Sequence, residues 1–335
     1  MRSLAPLFPE KSNLLEPIGE VWLTAVDCKI ANGPFAGKTL GDAWREMPAE
    51  WRGTRFAERS DFPLLIKFIF PNDKLSIQVH PDDTYASVHE KSAGGRGKTE
   101  MWHAISAEPG ARVLIGLVPK ANREKFLKAI ETRTLEEIFV HWRVQPGDTF
   151  FVPAGTPHTI GPGMILCEIQ EYSDLTYRVF DYDRVDAHGK PRELHIQKAL
   201  NVIEFGRPIL GKVSRIHLPA RGLQRDLLAA CRHFATERWK IVTSVEVASD
   251  REDFNFLVIL NGSGEFGWDS ESAKYQSGEC WLIPSGLGKL AVNPREPTKL
   301  LRTYVPDLQA LRDGLKQTNH SWQEIEKTVF DQERF

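Results

Sequence analysis

Short stretches in which apolar and polar residues alternate dominate this chain. In segment 75–80 the apolar residues Ile77 and Val79 alternate with polar ones. Successive side chains on a β-strand point to opposite faces, so the pattern predicts a strand with Gln78 and His80 on one face. Most other segments are short, rich in Val, Ile, Phe and Trp, and separated by turn-forming residues. This arrangement indicates a mainly β protein with mostly antiparallel sheets.

Helical periodicity is confined to a few places. One helix is predicted from Asn122 to Ile130, and a second over 134–139, where Thr134 and Glu137 have the spacing of a capping box. Together they predict a short helical insertion near residues 121–142. Further helices are predicted over 195–205 and within the tail 306–335.

A turn and strand pattern occurs twice. Gly147 is followed by a β-type run, then by the turn that starts at Pro153 and leads to His158, with the spacing of the second cupin motif. The same spacing recurs 131 residues later, from Gly278 to Lys289. The repeat predicts a double cupin of two jelly-roll barrels, although turns and strands can also produce such a pattern by chance.

The repeat also predicts two domains with different roles. Residues 1–210 are expected to form a catalytic cupin domain that contains the helical insertion. Residues 211–335 are expected to form a degenerate cupin-like domain with a helical tail. A protonated Lys289 has no lone pair for a metal, so the second domain is predicted to be metal-free and structural.

Four residues in the first domain have side chains that suit a metal ion. Gln78 and His80 share one strand face, and Glu100 and His158 are the candidates for the remaining ligands. Imidazole nitrogen and carboxylate oxygen suit zinc or a similar first-row ion, with a position left for water or substrate. The sequence therefore predicts a metalloenzyme site.

Residues 65–205 resemble type I phosphomannose isomerase (mannose-6-phosphate isomerase), especially its shorter bacterial form. The segments that carry the resemblance are 75–81, 97–102, 153–158, 173–178 and 192–195, with 19–22 as a further match near the start. Their order along the chain makes the match specific. Beyond about residue 210 the resemblance is loose.

The resemblance implies an aldose–ketose isomerase that interconverts mannose 6-phosphate and fructose 6-phosphate through a cis-enediol. It implies one Zn²⁺ per chain, with Gln78, His80, Glu100 and His158 matching the family's ligands. Arg178 matches the active-site arginine of the family motif. Its guanidinium can bind phosphate or sugar oxygens.

Lys98 is the second cation expected at the substrate, because it lies two residues before Glu100 on the same strand face. The proton-transferring base stays open. Asp174 is slightly favoured over Glu168, and a hydroxide held by the metal is an equal alternative. Either carboxylate could instead orient a ligand.

Two other functions are compatible with a cupin. A metal-dependent oxygenase would have a similar pocket, but it needs neither Arg178 nor Lys98, and its first motif normally reads His-x-His where this chain has Gln78 and His80. A non-catalytic sugar-phosphate-binding cupin would not require Asp174, Glu168 and Arg178 together.

Composition limits the partners and the location. A chain of 335 residues has room for two barrels. Its net charge of −2 predicts no basic surface for nucleic acid and no general attraction to an anionic membrane. No apolar run approaches about 20 residues, and no leader is apparent at the N-terminus. The four cysteines are scattered, which favours reduced thiols and the cytoplasm. A small sugar phosphate is the expected partner of a monomer or homodimer.

Overall fold

The computed structural model describes residues 4, 7–11, 17–58, 61–186, 188–208, 210–249 and 252–331. Residues 1–3 and 5–6, where no leader is predicted, lie outside the described residues, as does the end of the predicted helical tail, 332–335. Among the described residues, no helix has both the length and the apolar character needed to cross a bilayer.

Strands are the commonest elements. They are β1 Glu20–Trp22, β2 Leu64–Ile69, β3 Ile77–Val79, β4 Glu100–Ala107, β5 Arg112–Leu117, β6 Phe139–Arg143, β7 Thr149–Val152, β8 His158–Ile160, β9 Met164–Glu171, β10 Tyr177–Phe180, β11 Gly211–Lys212, β12 Ile216–Leu218, β13 Leu223–Ala230, β14 Ala235–Ile241, β15 Val245–Ala248, β16 Asn255–Asn261, β17 Ser263–Trp268, β18 Glu271–Gln276, β19 Cys280–Ile283, β20 Lys289–Pro294 and β21 Thr298–Tyr304. The helices are α1 Leu40–Glu46, α2 Ala49–Arg52, α3 Asp83–His89, α4 Arg123–Glu131, α5 Ile196–Val202, α6 Leu308–Gln317 and α7 Trp322–Glu326. Short 3₁₀ helices are Pro9–Lys11, Lys91–Ala93 and Leu135–Ile138. The predicted mainly-β fold is confirmed.

The chain divides into two compact units, the first formed by residues up to 67 together with 214–331, and the second by residues 68–213. The second unit has a sheet in the order β10-β3-β8-β5-β6 and a sheet in which β9, β4, β7 and β11 are successive neighbours. Buried residues of both sheets, among them Trp102, Ile115, Phe150 and Ile160, form one core. The inner faces of the two sheets therefore enclose a barrel interior.

The first unit repeats this architecture. One sheet has the order β12-β13-β14-β21-β16-β19, and the other has the order β15-β20-β17-β18. Trp239 and Ile259 from the first of these sheets pack with Phe266 and Val292 from the second. Two antiparallel sheets with a shared apolar core form each half of the predicted double cupin.

The predicted repeat is visible in the positions of matched strands. β7 and β19 have the same length and begin 131 residues apart, and β8 and β20 also begin 131 residues apart. Gly147 and Gly278 precede the first of each pair with φ angles of 90° and 86°. At the position equivalent to His158, the ammonium of Lys289 is exposed and paired with Glu246 at 2.7 Å.

The units differ from the predicted domains at the N-terminus. The second unit ends at residue 213, and residues up to 67 group with 214–331 rather than with 68–213. An aromatic cluster explains the grouping. Trp44 and Phe62 contact Phe254 and Phe256 edge to face, with ring centroids 5.0 Å apart for Trp44–Phe254 and 5.8 Å apart for Phe62–Phe256. Scattered aromatic residues carry no periodic signal that would predict this long-range packing.

The helical predictions are right in position, and those over 134–139 and 195–205 are longer than the helices in the structure. Asn122 caps α4 by accepting from the amide of Lys125, as predicted. The second part of the insertion is a 3₁₀ turn without a side-chain cap from Thr134, so the predicted capping box is wrong. The chain then enters β6 at Phe139, so the insertion ends before residue 142. Pairing of β6 with β5 outweighs the local helical preference there.

Candidate metal centre and active site

Three of the predicted site residues lie in one row across the five-stranded sheet. Gln78 on β3 is directly opposite Arg178 on β10 and opposite His158 on β8. Directly opposed residues in antiparallel strands project from the same face. Their neighbours Ile77 and Val79 are buried in a separate cluster with residues of α4 and α5. Gln78, His158 and Arg178 are therefore on the inner face, as the alternation predicts.

The facing sheet contributes the acidic residues. On β4, Glu100 is opposite Gln170 of β9, and two residues along, Trp102 is opposite Glu168. Trp102 belongs to the barrel core. Alternate residues of a strand share a face, as do directly opposed residues of paired strands. Glu100, Gln170 and Glu168 are therefore on the same face as Trp102 and point into the barrel interior.

The candidate ligand atoms are close together. His158 Nε2 lies 3.2 Å from Glu100 Oε1, and His80 Nε2 lies 3.6 Å from Glu100 Oε2. The Gln78 amide is 3.4 Å from His158 Nε2. In a tetrahedral site with bonds of about 2.0–2.2 Å, ligand atoms are separated by about 3.3–3.6 Å. The two histidines and Glu100 thus have the spacing of a metal site. Reversal of the Gln78 amide, whose Nε2 faces His158, would turn its oxygen toward them.

Both imidazoles are oriented for a metal by backbone carbonyls. His80 Nδ1 donates to the carbonyl of Leu175 at 2.6 Å, and His158 Nδ1 donates to that of Thr156 at 2.9 Å. This leaves each Nε2 with its lone pair toward Glu100. Burial, aided by the Lys98 charge, lowers the pKa of His158 to about 4. The ring is therefore neutral at pH 7, the state that a metal ligand needs.

The turn before His158 depends on glycine. Gly155 has a φ of +80°, and a Cβ there would approach the carbonyl oxygen of Val202 to 3.0 Å. Its amide donates to the carbonyl of His80 at 2.8 Å. The Pro-Ala-Gly turn therefore fixes the start of β8 relative to the end of β3, and with it the two histidines.

Lys98 is buried beside the candidate ligands. Its Nζ lies 3.1 Å from Glu100 Oε2. Burial alone lowers the pKa of a lysine, but the charges of Glu100, Glu168 and Asp174 outweigh it and raise the pKa of Lys98. The ammonium group is therefore retained inside the barrel at pH 7, within reach of a bound substrate.

The two candidate bases occupy different environments. Glu168 is buried and accepts a hydrogen bond from Trp102 Nε1 at 3.0 Å, and the Trp102 ring lies against His158 with centroids 5.4 Å apart. Asp174 is exposed on the loop between β9 and β10. The negative charges of both residues raise the pKa of Lys98, and the effect of Glu168 is the larger one. The structure brings Glu168 into the interior with the candidate ligands and leaves Asp174 at the surface.

Arg178 lies within electrostatic range of two other arginines that share one carboxylate. Arg184 and Arg192 both bind Asp181, Arg184 through a contact of 2.5 Å. Burial and the neighbouring charge of Arg192 lower the pKa of Arg178. Neither Arg184 nor Arg192 is predicted from the sequence, although Arg192 stands in one of the segments shared with the family. Three guanidinium groups with one carboxylate make this end of the row a positive region.

A short segment before α5 holds Arg178 at three points. The amide of His195 donates to the Arg178 carbonyl at 2.7 Å, and the Arg178 amide donates to His195 Nδ1 at 3.3 Å. The guanidinium donates to the carbonyl of Glu193 at 3.1 Å. The segment 193–195, which lies within one of the stretches that resemble the family, therefore orients the arginine.

Comparison with known proteins agrees with this geometry. Residues 4–105 match the family model described as phosphomannose isomerase type I, catalytic domain. The chain is 34% identical over 279 residues to a mannose-6-phosphate isomerase of Bacillus subtilis, covering 81% of this chain and 85% of that protein. A mannose-6-phosphate isomerase of Streptococcus mutans is 33% identical over 276 residues, with 81% and 84% covered.

A solved structure shows the same architecture. The crystal structure of mannose 6-phosphate isomerase from Bacillus subtilis superimposes with a TM-score of 0.78 and 29% identity, over 88% of this chain and 90% of that one. The likeness extends through both units of the fold. The chain therefore belongs to the type I phosphomannose isomerase family.

Proposed function

We propose that this protein interconverts mannose 6-phosphate and fructose 6-phosphate, with one Zn²⁺ per chain held by Gln78, His80, Glu100 and His158. The observation that carries the proposal is the burial of His80, Glu100 and His158 in one barrel interior with Lys98 and Glu168, next to the half-buried Gln78. Family membership supplies the reaction. A divalent ion bound there would supply positive charge to stabilise the negative charge that develops on the sugar oxygens.

Glu168 is proposed as the base that moves a proton between carbon 2 and carbon 1. When it takes the proton from carbon 2, the C–H electron pair becomes the C1=C2 double bond and the carbonyl oxygen on carbon 1 gains a proton. The hydroxyl on carbon 2 becomes the ketone by losing a proton, which balances the proton gained by the oxygen on carbon 1. The C1=C2 electron pair then takes the proton back from Glu168 and forms the new C–H bond at carbon 1. No oxidant or reductant is needed.

Lys98 is proposed to stabilise the oxygens during this transfer. Its pKa is raised, so the ammonium remains a hydrogen-bond donor at pH 7. A fixed donor in a buried site stabilises negative charge on oxygen more than water does. Lys98 thus acts near the reacting carbons rather than only at the phosphate.

The phosphate is proposed to bind at the positive region around Arg178. A planar guanidinium can bind two phosphate oxygens, and Arg184 and Arg192 add charge that Asp181 only partly neutralises. Arg178 is next to Gln78 in the sheet, which would put the phosphate and the metal at adjacent positions of one row.

Solvent deuterium tests the reaction type. In D₂O, a proton removed to a side chain exchanges with solvent, so repeated turnover should introduce deuterium at carbon 1 of fructose 6-phosphate. Product that stays free of deuterium after many turnovers would indicate a direct hydride shift and would contradict the role of Glu168.

Replacement of Arg178 with alanine is expected to leave bound metal unchanged and to lower kcat/KM for mannose 6-phosphate by about 100- to 1000-fold, the cost of one preorganised charged donor. Inhibition by inorganic phosphate should weaken in parallel. Arg45→Ala is the matched control, because Arg45 is an exposed helix residue paired only with Asp42 among the described residues. An Arg178→Ala enzyme with full activity would refute the assignment.

Replacement of His195 with alanine is expected to lower kcat/KM by about 10-fold, the effect of losing one net hydrogen bond that orients Arg178. His195→Asn should restore most of the loss, since its Oδ1 can accept from the Arg178 amide as Nδ1 does. His141→Ala, at an exposed position, serves as the control. Equal activities of His195→Ala and His195→Asn would contradict a positioning role.

The proposed location is the cytoplasm, and the proposed assembly is a monomer or homodimer. The support for the location is the scattered cysteine pattern, in which Cys28, Cys167, Cys231 and Cys280 form no disulfide.

A further inference from the structure

Gln170 lies in the barrel interior beside the proposed metal site. It is fully buried on β9, directly opposite Glu100. Its Nε2 donates to the carbonyls of Glu171 at 3.1 Å and Ser173 at 2.5 Å. Two carbonyl oxygens on one side fix the amide orientation, because the reverse orientation would place its oxygen against both of them.

The carbonyls that Gln170 binds lie at the end of β9 and in the loop that leads to β10. Ser173 Oγ donates to the carbonyl of Arg96 at 3.1 Å and accepts from the amide of Leu175 at 3.3 Å. The start of the loop is fixed to the segment before Glu100, since the amide of Glu171 donates to the carbonyl of Thr99 at 3.1 Å. The loop therefore has a defined path from its first residue to Leu175.

Leu175 connects this loop to the metal site. Its carbonyl accepts the hydrogen bond from His80 Nδ1 at 2.6 Å, which fixes the tautomer and the ring plane of His80. A shift of the loop would move that carbonyl and rotate the ring. The orientation of His80 therefore depends on a loop that the Gln170 amide holds at Ser173.

We propose that Gln170 is a positioning residue for the metal ligand His80, acting through the loop 171–175. Its function is to hold the Leu175 carbonyl where it accepts from Nδ1, so that Nε2 points to the metal. The inference rests on the proposed ligand set but not on the identity of the substrate. Loss of an outer partner of a metal-bound histidine typically weakens metal affinity by about 10- to 100-fold.

The test is the zinc affinity of the purified full-length chain, measured by competition with a chelator of known affinity. Gln170→Met keeps the length of the side chain and removes both donated bonds, so we expect about 10- to 100-fold weaker zinc binding. Gln145→Met is the matched control, since Gln145 is exposed in the same unit, and it should bind zinc as the unchanged protein does.

A second variant and a spectroscopic readout separate positioning from general destabilisation. Ser173→Ala removes the bonds of the Ser173 hydroxyl to the Arg96 carbonyl and the Leu175 amide, and it leaves Gln170 in place. It should also weaken zinc binding, and its effect should be less than additive with Gln170→Met because both act on one loop. In the metal-free protein, ¹⁵N shifts of the His80 ring should report the Nδ1-protonated tautomer, with a mixture of tautomers in Gln170→Met.

Two outcomes would overturn the proposal. One is a folded Gln170→Met protein whose zinc affinity equals that of Gln145→Met, and the other is an unchanged His80 tautomer in that variant. Zinc titration does not depend on turnover. If the unchanged protein binds zinc but fails to isomerise mannose 6-phosphate, the function fails while the positioning role can still be tested.

Discussion

His158→Ala is expected to remove bound metal and isomerase activity together. His158 is central to the ligand set, because its Nε2 is 3.2 Å from Glu100 and 3.4 Å from the Gln78 amide. Alanine removes one of four donors and leaves a cavity next to Trp102. Loss of a residue that only hydrogen-bonds a metal ligand can weaken metal affinity by about 100-fold. Loss of the ligand itself should weaken zinc affinity by more than that. Turnover should fall to the level of the chelated enzyme.

The control for this prediction is another histidine of the same unit. His141 is exposed and bonds only the carbonyl of Glu136 among the described residues, so His141→Ala should retain both metal and turnover. Metal content by elemental analysis and turnover are measured on the same samples. A His158→Ala protein that keeps stoichiometric zinc would contradict the ligand assignment, and one that keeps turnover without zinc would contradict the role of the metal.

Glu168→Gln is expected to abolish most of the turnover while leaving the metal bound. Glutamine has nearly the same shape, and its Oε1 can still accept from Trp102 Nε1, so the barrel should fold normally. It cannot accept a proton from carbon 2. Loss of a general base typically costs about 100- to 10 000-fold in rate, and kcat should fall by that amount with a smaller change in KM.

Asp174→Asn is the matched comparison for Glu168→Gln. Asp174 is exposed and outside the interior that holds the proposed ligands, so neutralising it should change kcat by less than about 10-fold. Measurement of kcat, KM and zinc content for both variants distinguishes the two carboxylates. The reverse result, with full activity in Glu168→Gln and none in Asp174→Asn, would transfer the role of base to Asp174.

Local periodicity is sufficient to predict much of the site. The alternation around Gln78 and His80 places both on the inner face, and the spacing from Gly147 to His158 predicts a strand, a glycine turn and a second strand that the structure contains. These features depend on residues near one another in sequence. The strand predicted over 75–80 is shorter in the structure, where β3 covers only Ile77–Val79.

Features that depend on distant partners are not visible in the sequence. The grouping of residues up to 67 with the C-terminal unit rests on contacts of Trp44 and Phe62 with residues about 200 positions later. The choice between Glu168 and Asp174 depends on burial, which two acidic residues six positions apart do not reveal. The role proposed for Gln170 depends on backbone carbonyls whose directions are set only when the loop 171–175 is folded.

The central claim is a metal-dependent isomerase, and it is tested most directly by turnover of mannose 6-phosphate to fructose 6-phosphate in three states of the purified protein. These are the protein as prepared, after removal of metal with a chelator, and after zinc is restored. We expect activity that disappears on chelation and returns with zinc. Turnover that survives complete removal of metal, or no turnover in a fully zinc-loaded protein, would contradict the proposed function.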